Sequence, residues 1–477
     1  LKSGFIAGAN SKFVKEQIIE ENIIKGRGIY NFINEQLCQI INDRLDEKEK
    51  PVLNLICASN MEEMQDVSVF ALAYYYNKTN DFKKMLLYNE LAYKKSLSQY
   101  SYSEAIFYIK NIINHHFKYD NVTKEVIRLT TLMCRCILHC GNIHESFYYL
   151  NKAYAAADEN NWEKEKIDIN LYIGMGYFFL NQPDVSLKYF KETISRAEEI
   201  GIEIKVGYPY RLIATSLSFT SDFKKASYYL TKALEYTEKD DFANLVPSYG
   251  FRAVNYLYIG DINNCLADIK EIEKIIPNVN DPKILSEAYH MSSSIYSRLG
   301  IDFEKAHEYA IKANDLAKKT DNIPMQYSSL FAISLSYLCQ KKFDQAFNYV
   351  EAGIEFSRKN NIYIGIELFH ANLIEIYIGK KDFKKANEFA VEKLLQKDKM
   401  VIKHLIVYFY KARAIYLYLK NNIEDCISVL NEAYGFYKET GFLFMNLFNL
   451  LFRAFVLYKL NRVKESNDAY AEVFSIL

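Results

Sequence analysis

Polar turn residues, an aromatic or aliphatic residue, and then a small residue three positions on make a phrase that recurs along most of the chain. It reads T-S-D-F-K-K-A-S-Y-Y-L-T-K-A at 220–233, I-D-F-E-K-A-H-E-Y-A at 301–310, K-K-F-D-Q-A-F-N-Y-V at 341–350 and K-D-F-K-K-A-N-E-F-A at 381–390. Weaker copies are N-N-I-E-D-C-I-S-V-L at 421–430 and N-R-V-K-E-S-N-D-A-Y at 461–470. Each copy predicts a turn followed by the opening of a helix. The small residue falls at Ser146, Ser186, Ala226, Cys265, Ala306, Ala346, Ala386, Cys426 and Ser466, in steps of 40 residues with one 39 and one 41 that cancel. A fixed period of this length decides the architecture before any local detail does.

Two further positions keep the same phase. Twelve residues upstream lie Cys134, Gly174, Ala214, Ala253, Ser294, Ser334, Ile374, Ala414 and Ala454, nearly all small. Seven residues downstream the chain often returns to a small residue, as at Ala153, Ala233, Ala313, Gly353 and Ala433. Helices that cross closely need small side chains at the crossing and larger apolar ones beside it. Leu150, Phe190, Leu230, Ile269 and Leu430 are placed to be those fillers. The expected fold is therefore all-α, a stack of about nine to ten helical hairpins.

The spacing of small residues by 12 and then 7, with an apolar residue between, resembles the tetratricopeptide repeat over roughly residues 64–477. That resemblance implies a right-handed superhelical solenoid. The period exceeds the family's usual length, so the helices are expected to be longer than usual, since the turns stay short.

Residues 1–63 are out of phase with the repeats. The pattern predicts a short helix over 18–24, a turn at 25–28, a brief strand over 29–32, a helix over 34–44 and another from Pro51 to Ala58. A divergent helical pair follows over 67–96, and a further helix opens near Ser103. The stretches G-R-G-I-Y-N-F-I-N-E-Q-L-C-Q-I-I at 26–41 and L-A-Y-Y-Y-N-K-T-N-D-F-K-K at 72–84 resemble the join in signal-transduction NTPases with numerous domains, although Asn34 stands where relatives often carry His. Large ATP-dependent transcription activators and multidomain nucleotide cyclases have similar arms. The resemblance implies three segments: a winged-helix-like remnant or connector at 1–63, divergent helical repeats at 64–120, and a solenoid at 121–477.

Composition narrows the function. Lys+Arg and Asp+Glu balance at 59 each, so no overall field draws the chain to nucleic acid or anionic lipid. No direct nucleic-acid partner and no membrane are expected. The apolar run at 442–460 contains Asn446, Asn449, Arg453 and Lys459, and a mid-span Arg costs about 3 kcal/mol in a bilayer. Eight scattered cysteines, several at seam positions, imply no disulfide framework and fit a reducing cytoplasm. The opening residues carry no secretory pattern, and the chain reads as a segment of something longer.

Chemistry-bearing motifs are sparse. No G-x-x-x-x-G-K-[ST] phosphate loop is present, so a nucleotide site of that kind would lie outside these residues. Cys136 and Cys140 with His144 have metal-like helical spacing, but Cys134 already serves the seam, and core thiols with a surface His account for the cluster. His115 and His116 close a helix, where the dipole favours a cation. His290 and His370 share one repeat position that suits packing between repeats. No acid, base and nucleophile converge, so the chain is read as non-catalytic, without metal or cofactor.

What remains is a surface. In stacked hairpins the first helices line the concave side. Their off-seam positions include Tyr208, Arg211, Thr215 and Ser218, then Asn255, Met291, Arg298, Glu375, Tyr408 and Lys411. Aromatic, Arg, Asn and hydroxyl groups together suit a peptide or an extended protein segment. The expected function is a sensor and autoregulatory arm that binds protein or peptide in its groove and docks on an attached NTPase or effector module. A free-standing adaptor or peptide-pheromone receptor, and the regulatory region of a nucleotide cyclase, are the alternatives.

Overall fold

The computed structural model describes residues 19–24, 27–32, 48–64, 67–201, 207–440 and 446–476. The chain divides into two compact units, Leu1–Val122 and Thr123–Leu477.

In the first unit, β1 (Ile19–Ile24) pairs antiparallel with β2 (Arg27–Phe32), from Ile19 opposite Phe32 to Ile24 opposite Arg27. The stretch expected to be a short helix is thus a strand. Six residues are too few to sustain an isolated helix, and the β-branched and aromatic residues of the neighbouring segment supply a ladder instead. The helix expected over 34–44 lies outside the described residues. Four helices follow: α1 (Glu49–Glu62), α2 (Val69–Tyr76), α3 (Phe82–Ser98) and α4 (Tyr102–Lys118). Asp81 caps α3 by accepting from the Lys84 amide, and Tyr76 stacks on Tyr88 with ring centroids 5.1 Å apart.

The second unit contains eighteen α-helices among its described residues, arranged as nine hairpins. The first helices are α5 (Lys124–His139), α7 (Glu163–Phe179), α9 (Gly207–Phe219), α11 (Phe242–Ile259), α13 (Pro282–Leu299), α15 (Ile323–Cys339), α17 (Ile366–Gly379), α19 (Ile406–Leu419) and α21 (Leu447–Lys459). The second helices are α6 (Ile143–Glu159), α8 (Pro183–Glu199), α10 (Phe223–Glu235), α12 (Ile262–Ile275), α14 (Phe303–Lys319), α16 (Phe343–Asn360), α18 (Phe383–Leu394), α20 (Ile423–Thr440) and α22 (Val463–Ile476).

Every in-phase small residue occupies the fourth position of a second helix, and all nine are 0–1% exposed. Their upstream partners are buried too, and backbone contacts show how close the crossings are. Ser293 donates to the Ala306 carbonyl at 2.6 Å, and Ser466 to the Ala454 carbonyl at 2.8 Å. A Cβ on Gly174 would stand 2.5 Å from the Phe190 ring. The fillers Leu150, Phe190, Leu230, Ile269 and Leu430 are all at most 1% exposed.

The turns inside the hairpins are built alike. A left-handed residue precedes most second helices by two positions, at Gly141, Asn181, Ser221, Gly260, Lys341, Lys381, Asn421 and Asn461. An Asp or Asn then caps the helix, as Asn142, Asp222, Asp261, Asp302, Asp382 and Asn422 do for the amide three residues on. Successive first helices pack along one another, whereas second helices pack chiefly on the first helices flanking them. The first helices therefore form the inner face of a helical-repeat solenoid. No helix among the described residues is long and apolar enough to cross a membrane, and α21 falls within the apolar run at 442–460.

Candidate ligand-binding site

The inner face of the second unit is closed along one side. Turns and helix ends from the first four hairpins meet the segments that open the fifth to eighth. Lys283, at the start of α13, lies 2.7 Å from His139 Nε2 at the end of α5. Gly141, at φ +78°, leaves room for Ile323; a Cβ there would be 3.2 Å from its Cγ2. Phe178 and Phe219 pack edge to face at 4.9 Å against the apolar cluster around Ile362 and Ile364. Ser221 Oγ is 2.8 Å from His404 Nδ1, and the His404 ring packs against both Phe223, at 5.2 Å, and Tyr258, at 4.9 Å, which also touch each other at 4.8 Å.

Enclosure raises the cost of charge on this face. Burial pushes the Lys283 ammonium down to about 8, helped by Arg135, although Glu287 opposes it. Burial likewise raises the Glu287 carboxyl and holds His139 well below its ordinary value. A neutral His139 accepts from the Lys283 ammonium, which fits their short contact.

The ten residues singled out in the sequence fall into three groups. Arg298, Glu375, Tyr408 and Lys411, from three first helices (α13, α17 and α19), line one cavity of about 280 Å³. There the Lys411 ammonium bridges both Glu375 oxygens at 2.8 and 2.9 Å. The Arg298 guanidinium lies over the rings of Tyr258, at 5.6 Å, and Phe331, at 5.7 Å. It makes no ion pair among the described residues. Burial raises the Tyr408 phenol, Arg298 partly opposing it.

Tyr208 and Arg211 form the second group: the guanidinium stacks over the ring at 5.0 Å and reaches Asn244 Oδ1 at 3.5 Å. The third group is sequestered. Thr215 and Ser218 donate to carbonyls of their own helix at 2.9 Å each, Asn255 is fully buried, and Met291 packs against Gly250. The cavity also uses residues that the repeat phase did not single out. Phe331, Leu335, Leu368 and Leu405 give it an apolar wall, and Ser297 adds a buried hydroxyl with no hydrogen-bond partner among the described residues. Off-seam phase alone does not distinguish them from other inner positions.

Among the described residues no group of three or more His, Cys, Asp or Glu is placed to hold a metal ion. Cys134 and Cys136 are buried, and burial pushes their thiols up to about 12 and about 11. Cys134 donates to the Ser146 carbonyl across its hairpin seam at 3.6 Å. His370 packs edge to face on Phe389 at 5.5 Å.

Neither the family models nor the curated proteins compared with this sequence match it. Among solved structures, the chain is similar to a Rap protein complexed with competence and sporulation factor, with a TM-score of 0.53, 14% identity, and coverage of 74% of this chain and 98% of that one. The chain has a tetratricopeptide-type solenoid fold. It is also similar to NprR in complex with its cognate peptide NprX, at TM-score 0.47 and 17% identity over 63% of this chain and 86% of that one. A STAND protein with a tetratricopeptide repeat sensor from Pyrococcus horikoshii gives TM-score 0.34 at 17% identity, covering 86% of this chain and 55% of that one.

Proposed function

We propose that the second unit is a non-catalytic scaffold that binds a peptide or extended protein segment on its enclosed inner face. The carrying observation is the cavity built by four consecutive first helices, where a lone guanidinium and a Lys–Glu pair face an apolar wall. A few convergent polar groups in a mostly apolar concavity are what a specific ligand site requires. The solved likenesses support a peptide: NprR was solved with its cognate peptide, and Rap with competence and sporulation factor. The balanced charge of 59 cations and 59 anions argues against tracking a nucleic-acid backbone.

In this reading the scaffold is the sensor and autoregulatory arm of a larger cytoplasmic signalling NTPase, with residues 1–63 as a winged-helix-like connector. Ligand binding would shift how the arm docks, which requires different affinities for two docked states. A free-standing peptide receptor is the second reading, favoured by the match over 98% of the Rap chain. The parent's ATPase rate, measured with and without residues 64–477, separates the two.

Panning the full chain against displayed random decapeptides with free C-termini tests the binding itself. Recovered peptides should lose affinity in Arg211→Ala and Lys411→Ala. Recovery of none, or equal binding to parent and variants, would refute the proposal.

A further inference from the structure

The cavity between the fifth and eighth hairpins has a more specific chemistry than its size conveys. Its charges do not cancel. Lys411 is committed to Glu375, with both oxygens within 2.9 Å, which leaves Arg298 as the lining's uncompensated charge. The guanidinium lies over two aromatic faces, and its donors form the planar fork that pairs a carboxylate. Two hydroxyls join it: that of Ser297, buried without a partner, and that of Tyr408, which makes no hydrogen bond among the described residues. One net positive charge with neutral donors matches a monoanion. A dianionic phosphate would call for a second free cation, and Lys411 is already taken.

The rest of the lining is apolar: Phe331, Leu335, Leu368 and Leu405. A volume of about 280 Å³ falls at the lower end of ligand pockets and suits one residue rather than a whole peptide. Tyr258, which stacks on Arg298, also packs on His404, where Ser221 closes the inner face. Arg298 thus lies beside the contact that closes the inner face. A residue inside a peptide must enter and leave such a site, whereas a terminal residue needs one exit only.

We infer that this cavity receives the last residue of a peptide, with Arg298, Ser297 and Tyr408 taking its α-carboxylate and the apolar wall taking an aliphatic side chain. This rests on the peptide-binding reading above and specifies which end of the ligand is read.

The test compares each panned peptide as free acid and as C-terminal amide, alongside N-acetyl-leucine and N-acetyl-leucinamide, by calorimetry and ligand-observed NMR on the full chain. Free acids should bind at least tenfold tighter than amides. Arg298→Gln should erase that difference, and Tyr408→Phe, which removes only a hydroxyl, should narrow it several-fold. Thermal melts of both variants establish that they fold. N-acetyl-leucine should give saturable signals that its amide does not. Peptides that bind equally as acid and amide would overturn the inference and leave the peptide-binding reading standing. Peptides that discriminate through an internal Asp or Glu would do the same. If N-acetyl-leucine alone binds and no peptide does, the pocket is a carboxylic-acid site and both readings fail.

Discussion

Ser221 and His404 lie 183 residues apart and share a hydrogen bond of 2.8 Å. Ser221 holds the left-handed position of the turn in the third hairpin, at φ +70°, and His404 lies in the segment that opens the eighth. The bond joins two sides of a superhelix that neighbouring hairpins alone would leave apart. It makes the inner face an enclosed site rather than an open groove.

Ser221→Ala should lower stability by about 1 kcal/mol, the net worth of one hydrogen bond. Because the bond ties distant hairpins, its loss should also act locally. Amide exchange should quicken at 219–223 and 400–406 and stay unchanged around the Ala306 and Ala346 crossings. Uniform quickening along the chain would show that this contact is not a separate closure.

The buried histidines set a pH dependence. Burial pushes His290 and His370 down to about 4 and His404 to about 3, with Arg298 adding to the shift for His290 and His404 and Lys393 for His370. The unfolded chain takes up these protons near pH 6.5, whereas the folded chain refuses them until near pH 4. The unfolded state then holds more protons, so stability falls as pH drops through that window, by up to about 1.4 kcal/mol per pH unit for each histidine. Urea midpoints at pH 7, 6 and 5 should fall steadily, and His404→Gln should lessen the slope by one group's share. Midpoints that stay flat over this range would contradict the burial of these rings.

How much of this was legible follows from the reach of each signal. The seam was legible because a close crossing depends on residues 12 and 7 apart within one hairpin, so Ala226, Ala306 and Ala386 revealed it locally. Arg298, Glu375, Tyr408 and Lys411 were legible as one face because successive first helices repeat the same inward direction. The burial of Asn255 and Met291 was not, since the first helices bury more than their seam. Nor was the Ser221–His404 contact, because superhelical pitch sums small rotations that no single repeat encodes. The strand at Ile19–Ile24 was missed because its partner, not its own residues, decides its state.

Two helical glycines should respond oppositely to alanine. A Cβ on Gly353 would fall 2.1 Å from the Phe369 ring, which is 1% exposed and has no space to swing away. Overpacking of about 1–3 kcal/mol outweighs the helix propensity gained, so Gly353→Ala should destabilise. At Gly435 nothing lies within 4 Å, so Gly435→Ala should gain about 1 kcal/mol. Thermal melts that move the same way for both would mean the seam is looser than described.

The left-handed turn positions give the opposite experiment, in which glycine is introduced. Lys341 and Lys381 adopt φ of +59° and +60°, where a Cβ crowds the following carbonyl at a cost of about 1–2 kcal/mol. Glycine removes that strain but gives the unfolded chain freedom worth about 0.4–1 kcal/mol. The strain is the larger quantity, so Lys341→Gly and Lys381→Gly should each stabilise by about 0.5–1 kcal/mol. Asn421 and Asn461 hold the same conformation at +58° and +59°, but asparagine tolerates it through local hydrogen bonding. Their glycine variants should therefore melt close to the parent. A gain at the asparagines equal to that at the lysines would show that side-chain identity does not set the strain, and a loss at the lysines would show that they are not left-handed.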